Sequence, residues 1–181
     1  MPDTKMTTHV ALLRAVNVGG TGKLPMNDLR TLCGKAGLHA VRTYIASGNV
    51  VFESDRTESE IKATIGDALM VYTGNPVGVL VRTSKEIAAI LAANPFPGAP
   101  ANRTVAIFLD AAPPPDTLDR VAERENEEIR LGTREIYVHY RDGMGRSRLR
   151  ISAAETGTAR NMNTVAKLAA MAAGTGVRRT D

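Results

Sequence analysis

The sequence predicts an α+β fold made of two ferredoxin-like halves packed together, each of the pattern βαββαβ, the second with its last strand reduced or missing. Three observations predict it. Short β-branched runs alternate with stretches of helical periodicity. Between residues 8 and 83 these elements follow the order β-α-β-β-α-β. After a connecting stretch at 84–103, the same order begins again in residues 104–181.

Each element has its own signal. HVALLRAVNV (9–18) is a short apolar run ending at Gly19-Gly20, a buried strand and a turn. PMNDLRTLCGKAG (25–37) repeats Leu29, Leu32, Cys33 and Ala36 at helical spacing, with Pro25 suited to the first position and Gly37 to the stop. VRTYIASGNVVFES (41–54) reads as a hairpin turning at Ser47-Gly48-Asn49. TESEIKATIGDALMVYTG (57–74) opens with Thr57 and, three residues on, Glu60, a capping box, and then sets Ile61, Ile65, Ala68 and Leu69 on one face. NPVGVLVRT (75–83) is the closing strand of the first half.

SKEIAAILAANP (84–95) is a connecting helix opened by Ser84 and closed before Pro95. FPGAPANR (96–103) is too short a linker for the halves to move freely. TVAIFLD (104–110) reads as a strand, APPPDTLDRVAEREN as a turn and then a helix, and EEIRLGT and REIYVHYRD as two strands. NTVAKLAAMAA (163–173) is a helix, which leaves only Gly176-Val177-Arg178 for a last strand.

Composition bounds the rest. Aromatics make up 4% of the 181 residues and Trp is absent, so the core is built from Ala, Val, Leu and Ile. The one cysteine, Cys33, excludes an internal disulfide and a multi-Cys metal site. No leader pattern or membrane-length apolar run is visible, which suggests a cytoplasmic protein with no membrane partner. The formal net charge is +4, and its basic part lies late: residues 129–181 hold ten Lys and Arg against four acids. Such a surface attracts phosphates, or is simply solvated.

Three stretches offer chemistry. GTGK at 20–23 invites comparison with the phosphate loop G-x-x-x-x-G-K-[ST], but Asn17 stands at its first glycine and Leu24 at its hydroxyl position. Pro25 also interrupts the continuity into the helix. What survives is a strand, a glycine loop and a helix start beside Lys23, which either gathers backbone N–H groups around an anion or makes a plain tight turn. Ser47 and Asn49 offer a hydroxyl and a carboxamide, or only the hairpin's turn. None of His9, His39 and His139 stands in a nucleophile–base pattern or at metal-ligand spacing, so no catalytic residue, metal or cofactor is assigned. The third stretch is GTARNMNT (157–164), after the basic loop RDGMGRSRLR (141–150). Thr158, Asn161 or Asn163 can cap the helix, yet one cap needs only one such residue, and Arg160 adds a bidentate cation. Lys167, read as lying near the helix start, opposes the helix dipole unless an anion offsets it.

Taken together, HVALLRAVNVGGTGKLPMNDLRTLCGKAGL, VRTYIASGNVVF and the late TGTARNMNTVAKL resemble the bacterial domain-of-unknown-function family numbered 1697, over roughly 8–54 and 104–173. The resemblance implies a pair of ferredoxin-like halves. It carries no catalytic residues, since the family's biochemical function is not established. The chain departs from the family pattern at Ala15, where glycine is usual, and at Met162, where an aromatic often stands.

The function expected from these readings is a ligand-binding module for a phosphate-bearing small molecule such as a nucleotide. Its site would draw on Arg14, Asn17, Gly19, Gly20, Lys23, Ser47, Asn49, Thr158, Arg160 and Asn161, with Arg160 as the phosphate fork and Lys23 as a point charge. A structural or protein-interaction role, with the polar motifs as helix caps and a clasp between halves, is the rival. Nucleic acid is the less favoured partner, because Tyr44, Tyr72, Tyr137, Tyr140 and three Phe are few stacking platforms, and Tyr137 and Tyr140 have opposite strand parity. Ligand identity, any catalysis and oligomeric state are left open.

Overall fold

The computed structural model describes residues 5–18 and 23–174, so Gly19, Gly20 and the 176–178 stretch lie outside the described residues. The protein is α+β. It divides into two compact units, one running to Ile87 and resuming at Leu168, the other spanning Ala88–Lys167.

The first unit contains β1 (Thr7–Leu13), α1 (Met26–Lys35), β2 (His39–Tyr44), β3 (Asn49–Ser54), α2 (Glu58–Thr73) and β4 (Val79–Thr83). The strands form one sheet of order β2-β3-β1-β4, with every neighbouring pair antiparallel. β1 is thus interior, with Val10 opposite Val51 on one side and Arg82 on the other. One face carries Ala11, Leu13, Val50, Phe52, Val79 and Val81, which pack on Leu29 and Cys33 of α1 and on Ile61, Ile65 and Leu69 of α2. These are the helical-period residues read from sequence. The opposite face is buried as well, at Val10, Leu12, Val51, Leu80 and Arg82. Burial of both faces explains why HVALL shows no apolar–polar alternation.

Local chemistry sets the helix ends. In α2 the Thr57 hydroxyl accepts from the Glu60 N–H while the Glu60 carboxylate accepts from the Thr57 N–H, and Gly74 ends the helix at φ 76°. Pro25 precedes α1 as an extended cap residue rather than as its first helical position. α3 (Ser84–Ala92) is opened by Thr83, one residue before the expected Ser84. Thr83 and Glu86 exchange side-chain-to-backbone bonds of 3.2 and 2.7 Å.

The second unit holds β5 (Thr104–Phe108), β6 (Val121–Ala122), β7 (Glu128–Leu131), β8 (Glu135–His139), β9 (Arg150–Ile151), β10 (Thr158–Asn161) and the start of α4 (Met162–Ala173). Its main sheet has the order β10-β5-β8-β7, and β6 and β9 form a separate two-stranded ladder. Val105, Ile107, Ile129, Ile136 and Val138 make the core face, covered by Val121, Leu149, Ile151 and Ala153. On the other face the Tyr137 hydroxyl donates to the Ile90 carbonyl of α3 at 2.7 Å.

Two sequence expectations are corrected here. No α-helix forms in the stretch after the proline run; it contains a 3-10 turn at Thr117–Arg120 and the short β6. Three consecutive prolines precede it, and its few apolar side chains, such as the 43% exposed Leu118, are too sparse for a buried helical stripe. The second sheet also does not lack its fourth strand. That strand is Thr158–Asn161, inside the motif read from sequence as either a helix cap or a ligand site, with no strand expected there. Gly157 permits it, because a Cβ there would lie 2.6 Å from the Phe108 carbonyl oxygen.

His9 supplies a pH test of the first unit. It is 5% exposed, and its ring stacks on Phe52 with centroids 5.7 Å apart. Burial holds the imidazole below its ordinary value, against the opposing effects of the Thr7 carbonyl and of Glu86 and Glu58. The unfolded chain therefore binds the proton more readily, so this contribution is complete above the unfolded value near 6.5 and falls as pH drops below it. Urea unfolding at pH 7.5 and 5.5 should show the wild type losing more stability than His9→Phe over that interval.

Candidate functional site

The sequence past β1 cannot continue as a strand. Arg14 donates its N–H to Gly78 at 2.9 Å, and then Ala15 and Asn17 both adopt left-handed backbone at φ 56° and 54°. Between them Val16 turns inward and is buried. The Asn17 carboxamide ties the bend. Its Nδ2 donates to the carbonyls of Leu24 at 2.9 Å and Ala46 at 2.8 Å, and its Oδ1 accepts from the Leu24 N–H at 2.6 Å. One side chain thus closes the loop between β1 and α1 and fastens it to the β2–β3 hairpin.

The hairpin is equally constrained. Gly48 sits at φ 87°, and a Cβ there would fall 2.6 Å from Val16 Cγ2 and 2.9 Å from Leu13 Cβ. Asn49 is fully buried and donates to the Tyr44 carbonyl and the Ser47 hydroxyl at 2.9 and 3.0 Å. The Ser47 and Asn49 side chains therefore bond to each other and build the turn.

Beside the loop lies a cavity of about 400 Å³. Arg14, Asn17 and Lys23 line one side, the Thr73–Gly78 segment lines the other, and Val16, Leu24 and Val77 give it apolar walls. Among the described residues, no carboxylate lines it. Arg14 and Lys23 are both exposed, so two cations face solvent at a concave surface. The 73–75 turn is self-bonded: the single Thr73 hydroxyl proton serves either the Leu69 or the Asn75 carbonyl, at 2.9 and 2.8 Å, and the hydroxyl oxygen accepts from the Asn75 N–H. Sequence reading missed this second wall. Its signal was available: a strand that pairs antiparallel with β1 must bring the turn entering it, GNPVG, beside the loop leaving β1.

The late motif belongs to the second unit up to Lys167, and its polar groups have internal duties. Thr158 and Arg160 share one face of β10, and both are buried. Arg160 Nη1 donates to the Thr158 hydroxyl at 2.8 Å and to the Ala159 carbonyl at 2.9 Å, and burial pulls the guanidinium down to about 10. Asn161 Oδ1 accepts from the Thr164 N–H at 3.0 Å and caps α4. Because α4 begins at Met162, Lys167 falls beyond its first turn, outside the short reach of the helix-terminus field. Met162 itself is buried and simply packs. Cys33 is buried in the first core, where desolvation pushes its thiol up to about 12. Among the described residues, no group of three His, Cys, Asp or Glu is placed to hold a metal, and no helix is long and apolar enough to cross a membrane.

Fold and cavity together define an α+β protein built on two four-stranded antiparallel sheets, with a cation-rimmed hollow at the end of the first central strand. The family model described as "Protein of unknown function (DUF1697)" matches residues 6–137, and the chain belongs to that family. A solved structure described as the conserved bacterial protein SP0830 from Streptococcus pneumoniae is similar, with a TM-score of 0.76 at 22% identity, over 93% of this chain and 99% of that one. At that identity the likeness speaks for the fold. No curated protein matches.

Ala15 holds a left-handed backbone, at φ 56°, that glycine adopts more readily. A left-handed conformation costs a residue with a Cβ about 1–2 kcal/mol, and glycine avoids most of that. Ala15→Gly should raise unfolding stability by about 1 kcal/mol, read as a higher denaturant midpoint at unchanged slope.

Proposed function

We infer that the first-unit cavity binds a small phosphate-bearing molecule, a nucleotide or a compound of similar size. The observation that carries this reading is that Arg14 and Lys23 both line one hollow together with the apolar Val16, Leu24 and Val77. A volume of about 400 Å³ falls in the range of small-molecule sites. Arg14 is the bidentate partner in this reading and Lys23 the point charge, while Val16, Leu24 and Val77 contact the apolar part of the ligand. Asn17 shapes the site rather than contacting the anion. Arg160 stays outside it, since its guanidinium is buried among its own strand's groups. No reaction is assigned, because no acid–base pair meets at the cavity.

Two wider readings accompany this one. Both halves are ferredoxin-like; the order β2-β3-β1-β4 supports this for the first, and the matching order β10-β5-β8-β7 supports it for the second. The working compartment is the bacterial cytoplasm, a reading consistent with a single buried cysteine.

Calorimetric titration with pyrophosphate, ADP and adenosine tests the site. Pyrophosphate and ADP should bind, and adenosine should bind far more weakly. Arg14→Ala and Lys23→Ala should each weaken ADP about tenfold or more while leaving the melting temperature nearly unchanged, since both side chains are exposed. Arg160→Ala should do the reverse, lowering stability by about 2–4 kcal/mol through lost buried hydrogen bonds and packing. Binding of ADP undiminished in the Arg14 and Lys23 variants would refute the assignment.

A further inference from the structure

The second unit holds a different concavity that the first-site reading does not use. PFPGAP at 95–100 closes over one end of the sheet face opposite the second core and leaves a pocket of about 530 Å³. Glu128 of β7 and His139 of β8 supply its floor, and the buried Thr104 of β5 stands beside His139. Thr104, His139 and Glu128 are cross-strand partners in one row across β5, β8 and β7, and the Thr104 hydroxyl and His139 Nδ1 are 3.3 Å apart. Phe96 stands against His139 with ring centroids 6.0 Å apart, and the Arg130 guanidinium lies 5.8 Å from the Phe96 centroid. The aromatic wall is therefore held between a β8 and a β7 side chain.

Two arginines rim this pocket. Arg103 Nη1 donates to the Arg141 carbonyl at 2.8 Å, and Arg141 Nη2 reaches Glu128 Oε1 at 2.7 Å. Each guanidinium commits one nitrogen in this way and still faces solvent. Glu128 is the one carboxylate lining the pocket, and its bond with Arg141 holds it below the usual carboxylate range. Among the described residues the lining thus carries two guanidinium groups against one acid, beside an aromatic wall made by the Phe96 and His139 rings, tilted 40° to each other. That is the donor set for a small planar anion, with a ring to lie on the aromatic wall and a carboxylate or phosphate to take the arginine fork. Glu128 occupies part of that fork and competes with the incoming anion.

We propose that this pocket is a second, independent binding site for a small aromatic or heterocyclic anion, with Arg103 and Arg141 as its anion partners, Phe96 as its stacking wall and Glu128 as an internal competitor. It shares no residue with the first-unit cavity, so either site can fail without the other. The competitor role is the distinctive part. Neutralising Glu128 frees a guanidinium, that of Arg141, which already stands in position at the pocket rim.

Titrating the purified protein with benzoate, phenyl phosphate and the neutral benzamide tests it, with circular dichroism as the fold control. One or both anions should bind and benzamide should not, and comparing the two anions distinguishes carboxylate from phosphate as the preferred head. Glu128→Gln should tighten the preferred anion about threefold to tenfold, and Arg103→Ala and Arg141→Ala should each weaken it about tenfold or more in folded protein. Phe96→Leu keeps an apolar wall without a ring and should weaken binding less than the arginine variants do. Arg14→Ala should leave this binding unchanged. Absence of binding by both anions, equal binding of benzamide, or loss of affinity in Glu128→Gln would overturn the proposal.

Discussion

The end of β1 is gripped along both edges, and the arrangement of the first unit depends on that grip. Leu13 donates to Gly48 at 2.8 Å on one side, and Arg14 donates to Gly78 at 2.9 Å on the other. An interior strand cannot leave its sheet until both ladders end, so the chain must turn sharply at Ala15. Two left-handed residues in succession around Val16 are the result, and they persist because the surroundings over-determine them. Val16 fills the space left by the missing side chain of Gly48, and Asn17 bonds both the far end of the loop and the hairpin. The same bend raises Arg14 to the surface and opens the cavity beside it.

Polar residues near this bend fall into two groups that sequence alone does not separate. Asn17, Ser47 and Asn49 are consumed by backbone and by one another, which stabilises irregular chain that no regular ladder would satisfy. Arg14 and Lys23 are long and exposed, and both line the cavity beside the bend. In the late motif every group named as a candidate is engaged: Thr158 and Arg160 with each other, Asn161 by the helix it caps. A buried arginine on a strand face is costly to desolvate, and its hydrogen bonds within the strand offset part of that cost.

The two sheets repeat one strand order while differing in what covers them. Two amphipathic helices cover the core face of the first sheet, whereas turns and the small β6–β9 ladder cover that of the second. Both fourth strands run directly into a helix whose opening is capped by the strand's last side chain, Thr83 in one case and Asn161 in the other. An arginine immediately precedes each cap, Arg82 and Arg160, both buried and each bonded to the carbonyl of the residue before it. The repeat is thus carried by backbone order and by a short strand-to-helix signature, not by matching cores.

Much of this was legible in the residues themselves. β-Branched runs located β1, β3, β4, β5 and β8, and the Thr57–Glu60 spacing located the start of α2, because these signals depend on neighbours within a few positions. The hairpin at Ser47-Gly48-Asn49 was legible for the same reason. The strand at Thr158–Asn161 was not, since four mostly polar residues have no periodicity, and they become a strand only because β5 offers an unpaired edge. The helix expected after Pro115 failed because local propensity had no buried face to support it. Arg14 and Lys23 were read from sequence as members of a site, but their partner wall at Thr73–Gly78 lies about sixty residues along the chain from Arg14 and is set by the pairing of β4 with β1. Sequence by itself determined the local elements and the candidate cations. Tertiary structure alone decided which polar groups were used up in holding the chain and which were left at a surface, because burial and long-range pairing are properties of the assembled fold.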